Sequence, residues 1–291
     1  MRSWITLGLL CGLAGVAAGA ENPLFVELTT RGVSSGGGPG IPLPAPTVPD
    51  GLSAADQGRA IGRVIDGRQT LDALTRKTVV APLVLNVTSI TSPAGAIESP
   101  CRVDLWFVVH ADLDKISDAQ FLKRQYDTAA SGESKTNQPQ LVELTDAELA
   151  SRSIAPDEGQ KFFAGQIVLF DRARLNAALQ TRQTRSPESV LVAMRLDPRF
   201  DGDDRYPNGW EKLNRNDAGQ TQTGPRQAYR GAGGYVKATR LIDAPGALLV
   251  EYHLVFAEPS GWFDGANLLR SKLPLVCQDG VRKLRRQLAA Q

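Results

Sequence analysis

Residues 234–256 read GYVKATRLIDAPGALLVEYHLVF, and this stretch decides the fold together with the helical pattern that follows it to Leu288. Residues 235–242 and 247–256 are rich in β-branched, Leu and aromatic residues, with Pro245-Gly246 between them, which predicts two strands joined by a turn. The apolar residues that come next recur in steps of three and four, which predicts a helix with one apolar stripe. They are Leu269, Leu273, Cys277, Val281, Leu284 and Leu288.

The preceding sequence adds strands and short helices. Residues 79–90, 102–110, 162–170 and 189–196 have the composition of strands, and residues 175–179 are predicted to form a helical turn. Ser53, Thr145 and Asp264 are placed as helix N-caps, Thr145 in a capping box with Glu148. Pro274 is expected to kink the last helix. The fold class is therefore α+β, an antiparallel sheet packed around a long C-terminal helix, with short helices on the N-terminal side.

Composition divides the chain into three regions. Residues 1–20 combine Arg2, an apolar run and Ala18-Gly19-Ala20, the pattern of a cleaved signal peptide. An uncleaved anchor is the alternative, although the run is shorter than a bilayer span. Residues 21–52 are rich in Gly and Pro and are predicted to be a linker. Residues 53–291 are expected to form one domain, with a long polar loop at 197–229.

The overall charge and the leader limit the classes of function. A formal net charge of +2 over 291 residues argues against a protein that coats nucleic acid. The leader predicts an exported protein, either periplasmic or secreted. We expect a monomer without a cofactor. The motifs of serine hydrolases, zinc proteases, dithiol enzymes and P-loop proteins are absent from the sequence, so no residue is assigned a catalytic role.

Two cysteines, Cys101 and Cys277, remain after removal of the leader. In an oxidising compartment they could pair as a disulfide. The alternative is two buried free thiols, because free Cys is among the most buried residue types. The sequence leaves both readings open.

Two groups of polar residues are candidates for chemistry. Asp201, Asp203 and Asp204 could offer oxygen ligands to a hard cation, or could simply belong to a solvated turn. His110 and His253 are the only histidines. Glu251 lies on the same face of its strand as His253, so the pair could act as a general base. A histidine satisfied by structural hydrogen bonds is the alternative.

The order of elements resembles the helix-grip layout of the START-type and polyketide-cyclase-like superfamily. The strand that ends in DLWFVVHADL at residues 104–113, followed by a helix, is similar to the first strand and helix of that family. The segment from Trp262 to Leu288 is similar to the loop and helix that close the grip. The resemblance covers residues 79–288 at the level of architecture and carries over no binding residue. It implies a cavity between the sheet and the last helix.

These features predict a non-enzymatic domain that binds an apolar or amphipathic small molecule, such as a lipid, between sheet and helix. The residues expected to line that site are Trp262, Phe263, Leu273, Val281 and Leu284. A structural or interaction module of the cell envelope, with an envelope protein as partner, is the alternative. A hydrolase-type enzyme that uses His253, Glu251 or the acidic loop is a third hypothesis.

Overall fold

A computed structural model describes residues 17–18, 21–34, 38–90, 98–118, 140–216, 219–259, 262–263 and 268–290. The helices are short except for the last one. They are α1 Pro23–Thr30, α2 Ala54–Ile65, α3 Leu71–Thr75, α4 Leu113–Ile116, α5 Asp146–Ala150 and α6 Leu268–Ala289, with a 3₁₀ turn at Pro198–Phe200.

The strands are numbered in chain order. They are β1 Ala17–Ala18, β2 Leu83–Ser89, β3 Glu98–His110, β4 Gln140–Glu143, β5 Gln160–Leu169, β6 Ala173–Arg185, β7 Ser189–Leu196, β8 Gly209–Arg215, β9 Thr221–Thr223, β10 Gln227–Ala228, β11 Ala232–Arg240 and β12 Ala247–Pro259. Three of them, β3, β6 and β12, have thirteen residues, and β3 and β12 lie next to each other in the sheet.

The strands pair into one large sheet. All of the pairings between them except one are antiparallel. The neighbours run β2-β3-β12-β11-β7-β6, and β6 continues to β5 and then to β4. The first residues of β6 also pair with β8, which carries β9 and β10. The exception is β1, from the predicted leader, which pairs in parallel with the end of β6. The predicted α+β class with an antiparallel sheet and a C-terminal helix is confirmed.

The two faces of the sheet are covered by different parts of the chain. On the inner face, α6 packs through Leu273, Cys277, Val281 and Leu284 against alternate residues of β3, β7, β11 and β12. On the outer face lie α1, α2, α3 and residues 41–50, which we call the strap. Burial on both sides explains why β7 reads as a continuous apolar run, whose residues are all buried except Arg195.

Residues 21–52 are not the predicted linker. Asn22 caps α1, since its Oδ1 accepts a hydrogen bond from the Phe25 N–H at 3.1 Å. Leu43 and Val48 of the strap are 3% and 0% exposed, so the strap is part of the core. Gly233 on β11 lets α1 and the segment after it come close, because a Cβ there would lie 3.3 Å from Leu28 Cδ2 of α1 and 2.9 Å from Val33 Cγ2.

Two further expectations differ from the structure. Residues 175–179 lie within strand β6 instead of a helical turn. Residues 197–229 form the 3₁₀ turn and three strands instead of one long loop, and Trp210 and Tyr229 are buried there. Helix α6 includes Pro274 within it, and the kink expected there stays a prediction. The predicted N-caps Ser53 and Thr145 are confirmed, the second in a complete capping box with Glu148.

Arg285 fastens α6 to the edge of the sheet. Its side chain is buried and donates hydrogen bonds to the carbonyl oxygens of Val108 at 2.9 Å and of Pro82 at 3.3 Å. Burial lowers the pKa of this guanidinium to about 10, with a smaller contribution from Arg282. The cation therefore stays protonated at neutral pH and is neutralised by backbone dipoles instead of a carboxylate.

We expect Val48→Ala to lower the free energy of unfolding by about 1–3 kcal/mol, because two buried methyl groups are lost from a packed site. Denaturant unfolding followed by circular dichroism measures this change. The matched control is Val80→Ala, since Val80 is 67% exposed and its loss should change stability by less than about 0.5 kcal/mol. Equal stability of wild type and Val48→Ala would show that the strap is a tether after all.

Candidate functional site

The outer face carries a group of buried polar side chains, which we call the outer-face cluster. Its members are Asp104, Tyr235, Lys237, Glu251 and His253. The register of the central strands assembles it, because Asp104 lies opposite His253 on β3 and β12, and Tyr235 lies opposite His253 on β11 and β12. One step along, Glu251 lies between Trp106 and Lys237. Cross-strand partners share a face, so these side chains meet.

His253 lies at the centre of the cluster and is bound through both ring nitrogens. Its Nδ1 is 2.7 Å from Asp104 Oδ1, and its Nε2 is 3.3 Å from Glu251 Oε2. The side chain is 1% exposed, with the Tyr235 ring 4.8 Å and the Trp106 ring 5.3 Å from it between centroids. With both nitrogens occupied, His253 has no atom left to exchange a proton with a substrate.

The strap closes over this cluster and supplies several of its hydrogen bonds. The Thr47 N–H donates to Glu251 Oε2 at 2.8 Å, and the Trp106 Nε1–H donates to Thr47 Oγ1 at 2.8 Å. Lys237 Nζ donates to the Val48 carbonyl at 2.8 Å and to Asp50 Oδ1 at 2.7 Å. The cluster therefore holds the strap, which supports a structural role over the general-base hypothesis.

The protonation of His253 follows from its surroundings. Burial disfavours the imidazolium, but the hydrogen bonds and negative charges of Asp104 and Glu251 outweigh burial and raise the pKa of His253 above its ordinary value. Burial, with the nearby Glu251 and Asp104 charges, raises the pKa of the Tyr235 phenol far above its usual range. A protonated His253 balances one of the two carboxylates that contact it, and Lys237 balances Asp50 in the strap.

His110 does not join His253. His110 is the last residue of β3 and lies opposite Ala247, at one end of the β3–β12 ladder. The pair Asp104 and His253 lies in the middle of that ladder. The His110 Nε2 lies 2.9 Å from the Thr75 carbonyl oxygen at the end of α3. The shared face of Glu251 and His253 is confirmed by their contact, but the two histidines form no pair.

The inner face holds three of the five residues predicted to contact a ligand. Leu273, Val281 and Leu284 lie in the apolar cluster between α6 and the sheet. Trp262 and Phe263 belong to a different cluster, where Trp262 stacks on Tyr229 at 5.6 Å between ring centroids. Trp262 is 2% exposed, so it is a core residue and offers no surface to a partner. Asp264, placed before the helix as an N-cap in the sequence, lies outside the described residues.

Gln183 is a buried polar side chain on the inner face. It lies opposite Val192 on β7, in the same row as Val236, Tyr252 and Leu105, which all belong to the apolar cluster of α6. The side chain is 1% exposed. Neither its Nε2 nor its Oε1 has a hydrogen-bond partner among the described residues. Buried amides in native proteins are normally paired, so this one calls for a partner from outside the described chain.

The acidic turn is organised by arginine. Arg152 forms a two-pronged pair with Asp203, at 2.6 Å to Oδ2 and 3.0 Å to Oδ1, and these bonds lower the pKa of Asp203 to about 2. Asp201 accepts a hydrogen bond from Asn208 at 2.8 Å, and Asp204 is exposed. In the described part of the chain, no three His, Cys, Asp or Glu residues are grouped for a metal ion. The geometry supports the structural reading of this turn over the metal site.

Cys101 and Cys277 are free thiols in this structure and do not form the disulfide. Both are buried in the apolar cluster of the inner face. Burial, with the nearby Glu258 charge, raises the pKa of Cys101 to about 11, and burial raises the pKa of Cys277 to about 12. Both are therefore protonated and unreactive at neutral pH.

The sequence missed Gln183, Lys237 and Asp104. Strand alternation over residues 173–185 would have placed Gln183 with Thr181 and Arg185 on one face, but that stretch includes residues that were predicted to be helical. Asp104 and Lys237 could be found only through the register that pairs β3, β12 and β11.

Comparisons with known proteins leave the family open. No family model matches the chain, and no curated protein matches it. Solved structures similar to it include an uncharacterised protein from Rhizobium leguminosarum, at 11% identity over 71% of this chain and 99% of that chain, with a TM-score of 0.30. Human STARD10 is similar at 8% identity over 81% of each chain, with a TM-score of 0.34. At these scores the helix-grip-like architecture rests on the chain's own elements, and membership of the superfamily stays a prediction.

The raised pKa of His253 has a consequence for stability. A raised folded-state pKa contributes stability that is complete below the unfolded-state value of about 6.5 and is lost as the pH rises through the folded-state value. We therefore expect the free energy of unfolding to fall as the pH is raised above about 6.5, and His253→Gln to remove this part of the slope. Urea unfolding at a series of pH values measures both.

The matched control for this prediction is His110→Gln, which removes a histidine of the same sheet outside the cluster. If His110→Gln flattens the pH profile and His253→Gln leaves it unchanged, the proton held between Asp104 and Glu251 is not the source of the effect.

Proposed function

We propose that this chain is an exported, non-enzymatic domain that binds an amphipathic small molecule between helix α6 and the inner face of the sheet. The observation that carries the proposal is the buried and unpartnered amide of Gln183 in an apolar surrounding. A buried donor or acceptor without a partner costs about 1–3 kcal/mol. A ligand with a polar group and an apolar body would remove that cost and fill its apolar surroundings.

The chemistry around Gln183 supports the class of ligand. An amide offers two donors and one acceptor, so it pairs equally well with a carboxyl, hydroxyl or amide group. Its row neighbours Val192 and Val236 and the helix residues Val281 and Leu284 are apolar. One polar group within an apolar wall is typical of sites that bind lipids and similar molecules.

Export is part of the proposal and rests on residues 1–20, whose order of charge, apolar run and small residues is that of a signal peptide. Among the described helices, none has the length and apolar character that a membrane crossing needs. The interaction-module alternative loses part of its support, because Trp262 is buried and the N-terminal segment packs against the sheet through Leu28, Leu43 and Val48.

The substitution Gln183→Leu tests the proposal, since it keeps the size of the side chain and removes the amide. We expect weaker binding of a fluorescently labelled long-chain fatty acid by about tenfold or more, equivalent to one lost hydrogen bond to a charged group. We also expect the free energy of unfolding without ligand to stay the same or to rise by about 1–3 kcal/mol. Fluorescence titration and urea unfolding measure the two effects.

Gln57→Leu is the matched control. Gln57 is also buried, but its amide is satisfied by the Arg240 carbonyl at 3.2 Å and by the Ile242 N–H at 3.1 Å. This variant should lose stability and still bind the fatty acid. The proposal fails if the wild type does not bind the probe saturably, or if Gln183→Leu binds it with unchanged affinity.

A further inference from the structure

A concave site lies on the outer side of the sheet, where α1, the end of β7 and the start of β11 meet. The cavity has a volume of about 240 Å³. Its wall is mixed, with apolar groups beside two acids and two arginines. The residues that matter here are Leu28, Leu196, Glu27, Asp201, Arg195 and Arg230. A cavity of this size suits a small molecule and is too small for a whole lipid.

Arg195 is held in a fixed position at this cavity. Its Nε donates to Gln180 Oε1 at 2.8 Å, and its Nη1 donates to Glu27 Oε1 at 2.5 Å. Gln180 is itself 7% exposed, so the support is rigid. No described residue accepts a hydrogen bond from Nη2. A guanidinium fixed along one side and open on the other is suited to bind a carboxylate, because it loses little conformational freedom on binding.

Arg230 supplies a second cation at the same cavity. It is exposed and forms no hydrogen bond or ion pair within the described part of the chain. The acids of the wall have partners, since Glu27 is paired with Arg195 and Asp201 accepts from Asn208 at 2.8 Å. The two acids and two arginines of the wall sum to zero formal charge, and Arg230 and Asp201 are the two of these groups without an ion-pair partner among the described residues.

We propose that this cavity binds a small carboxylate with a short apolar body. The carboxylate oxygens accept hydrogen bonds from Arg195 Nη2 and from the Arg230 guanidinium, and the apolar body lies against Leu28 and Leu196. Charge-assisted bonds to two arginines give the site its preference for an anion. The site is separate from the one at Gln183, because Arg195 lies on the outer face of the sheet and Gln183 on the inner face.

Isothermal titration calorimetry with three matched compounds tests the proposal. We expect isocaproate to bind with a dissociation constant below about 1 mM, and its neutral amide, isocaproamide, to bind at least about tenfold more weakly because it lacks the charge. Leucine adds an ammonium group to isocaproate. Binding of leucine as tight as that of isocaproate would extend the ligand class to amino acids through Asp201, and weaker binding would restrict it to simple carboxylates. Either outcome supports a carboxylate site.

Arg230→Gln should weaken isocaproate binding by about tenfold or more without loss of stability, since Arg230 has no structural partner to lose. The control Arg226→Gln removes an arginine from the same segment that is paired with Glu211 and should leave binding unchanged. Unchanged binding in Arg230→Gln, or no binding of isocaproate to the wild type, overturns the proposal. Gln183→Leu should bind isocaproate normally, so the failure of this site and that of the inner-face site are distinguishable.

Discussion

The structure depends on how the buried charged side chains of the sheet's outer face are paired. Asp104, Glu251 and Lys237 would each be strongly unfavourable in an apolar interior if they were left alone. His253 contacts both carboxylates, and the strap binds Lys237 and Glu251 Oε2 through its backbone. These hydrogen bonds fix the position of the strap on the sheet. Glu251 Oε1 has no hydrogen-bond partner among the described residues. Removing His253 would take away the one imidazole that both buried carboxylates contact.

This arrangement explains the two-sided architecture. The inner face is mostly apolar and is covered by an amphipathic helix, so α6 packs there mainly through apolar contacts, with Arg285 fastening it to the edge of the sheet. The outer face mixes apolar and charged residues, and it is covered by an irregular segment whose carbonyl and N–H groups remain free to bind side chains. A helix has already used most of its backbone groups and could not have satisfied Lys237 and Glu251 in this way.

The sequence was sufficient to predict the fold class, because the spacing of apolar residues directly reflects which side chains are buried. The stripe from Leu273 to Leu288 and the apolar run of residues 189–196 were interpreted correctly. The strap was missed because Gly and Pro content reports local flexibility, whereas the strap is ordered by residues of distant strands. Strand β6 was missed because Leu, Ala and Asn at its start have weak strand preference, and pairing on both edges overrides that preference. The candidate sites could mostly not be predicted from the sequence. The roles inferred for Gln183 and Arg195 depend on which groups contact them in the folded protein.

The pairing of β3 with β12 also sets the order in which the chain can fold. These strands make one of the longest ladders of the sheet but lie far apart in sequence, and β12 separates β11 from β3. Closing such a large loop loses chain entropy before the contacts form, so folding should be slow compared with that of a protein built from local hairpins. Until β12 is synthesised, β3 and β11 both have an open edge, and a chain that stops before residue 247 would expose two apolar strands to aggregation.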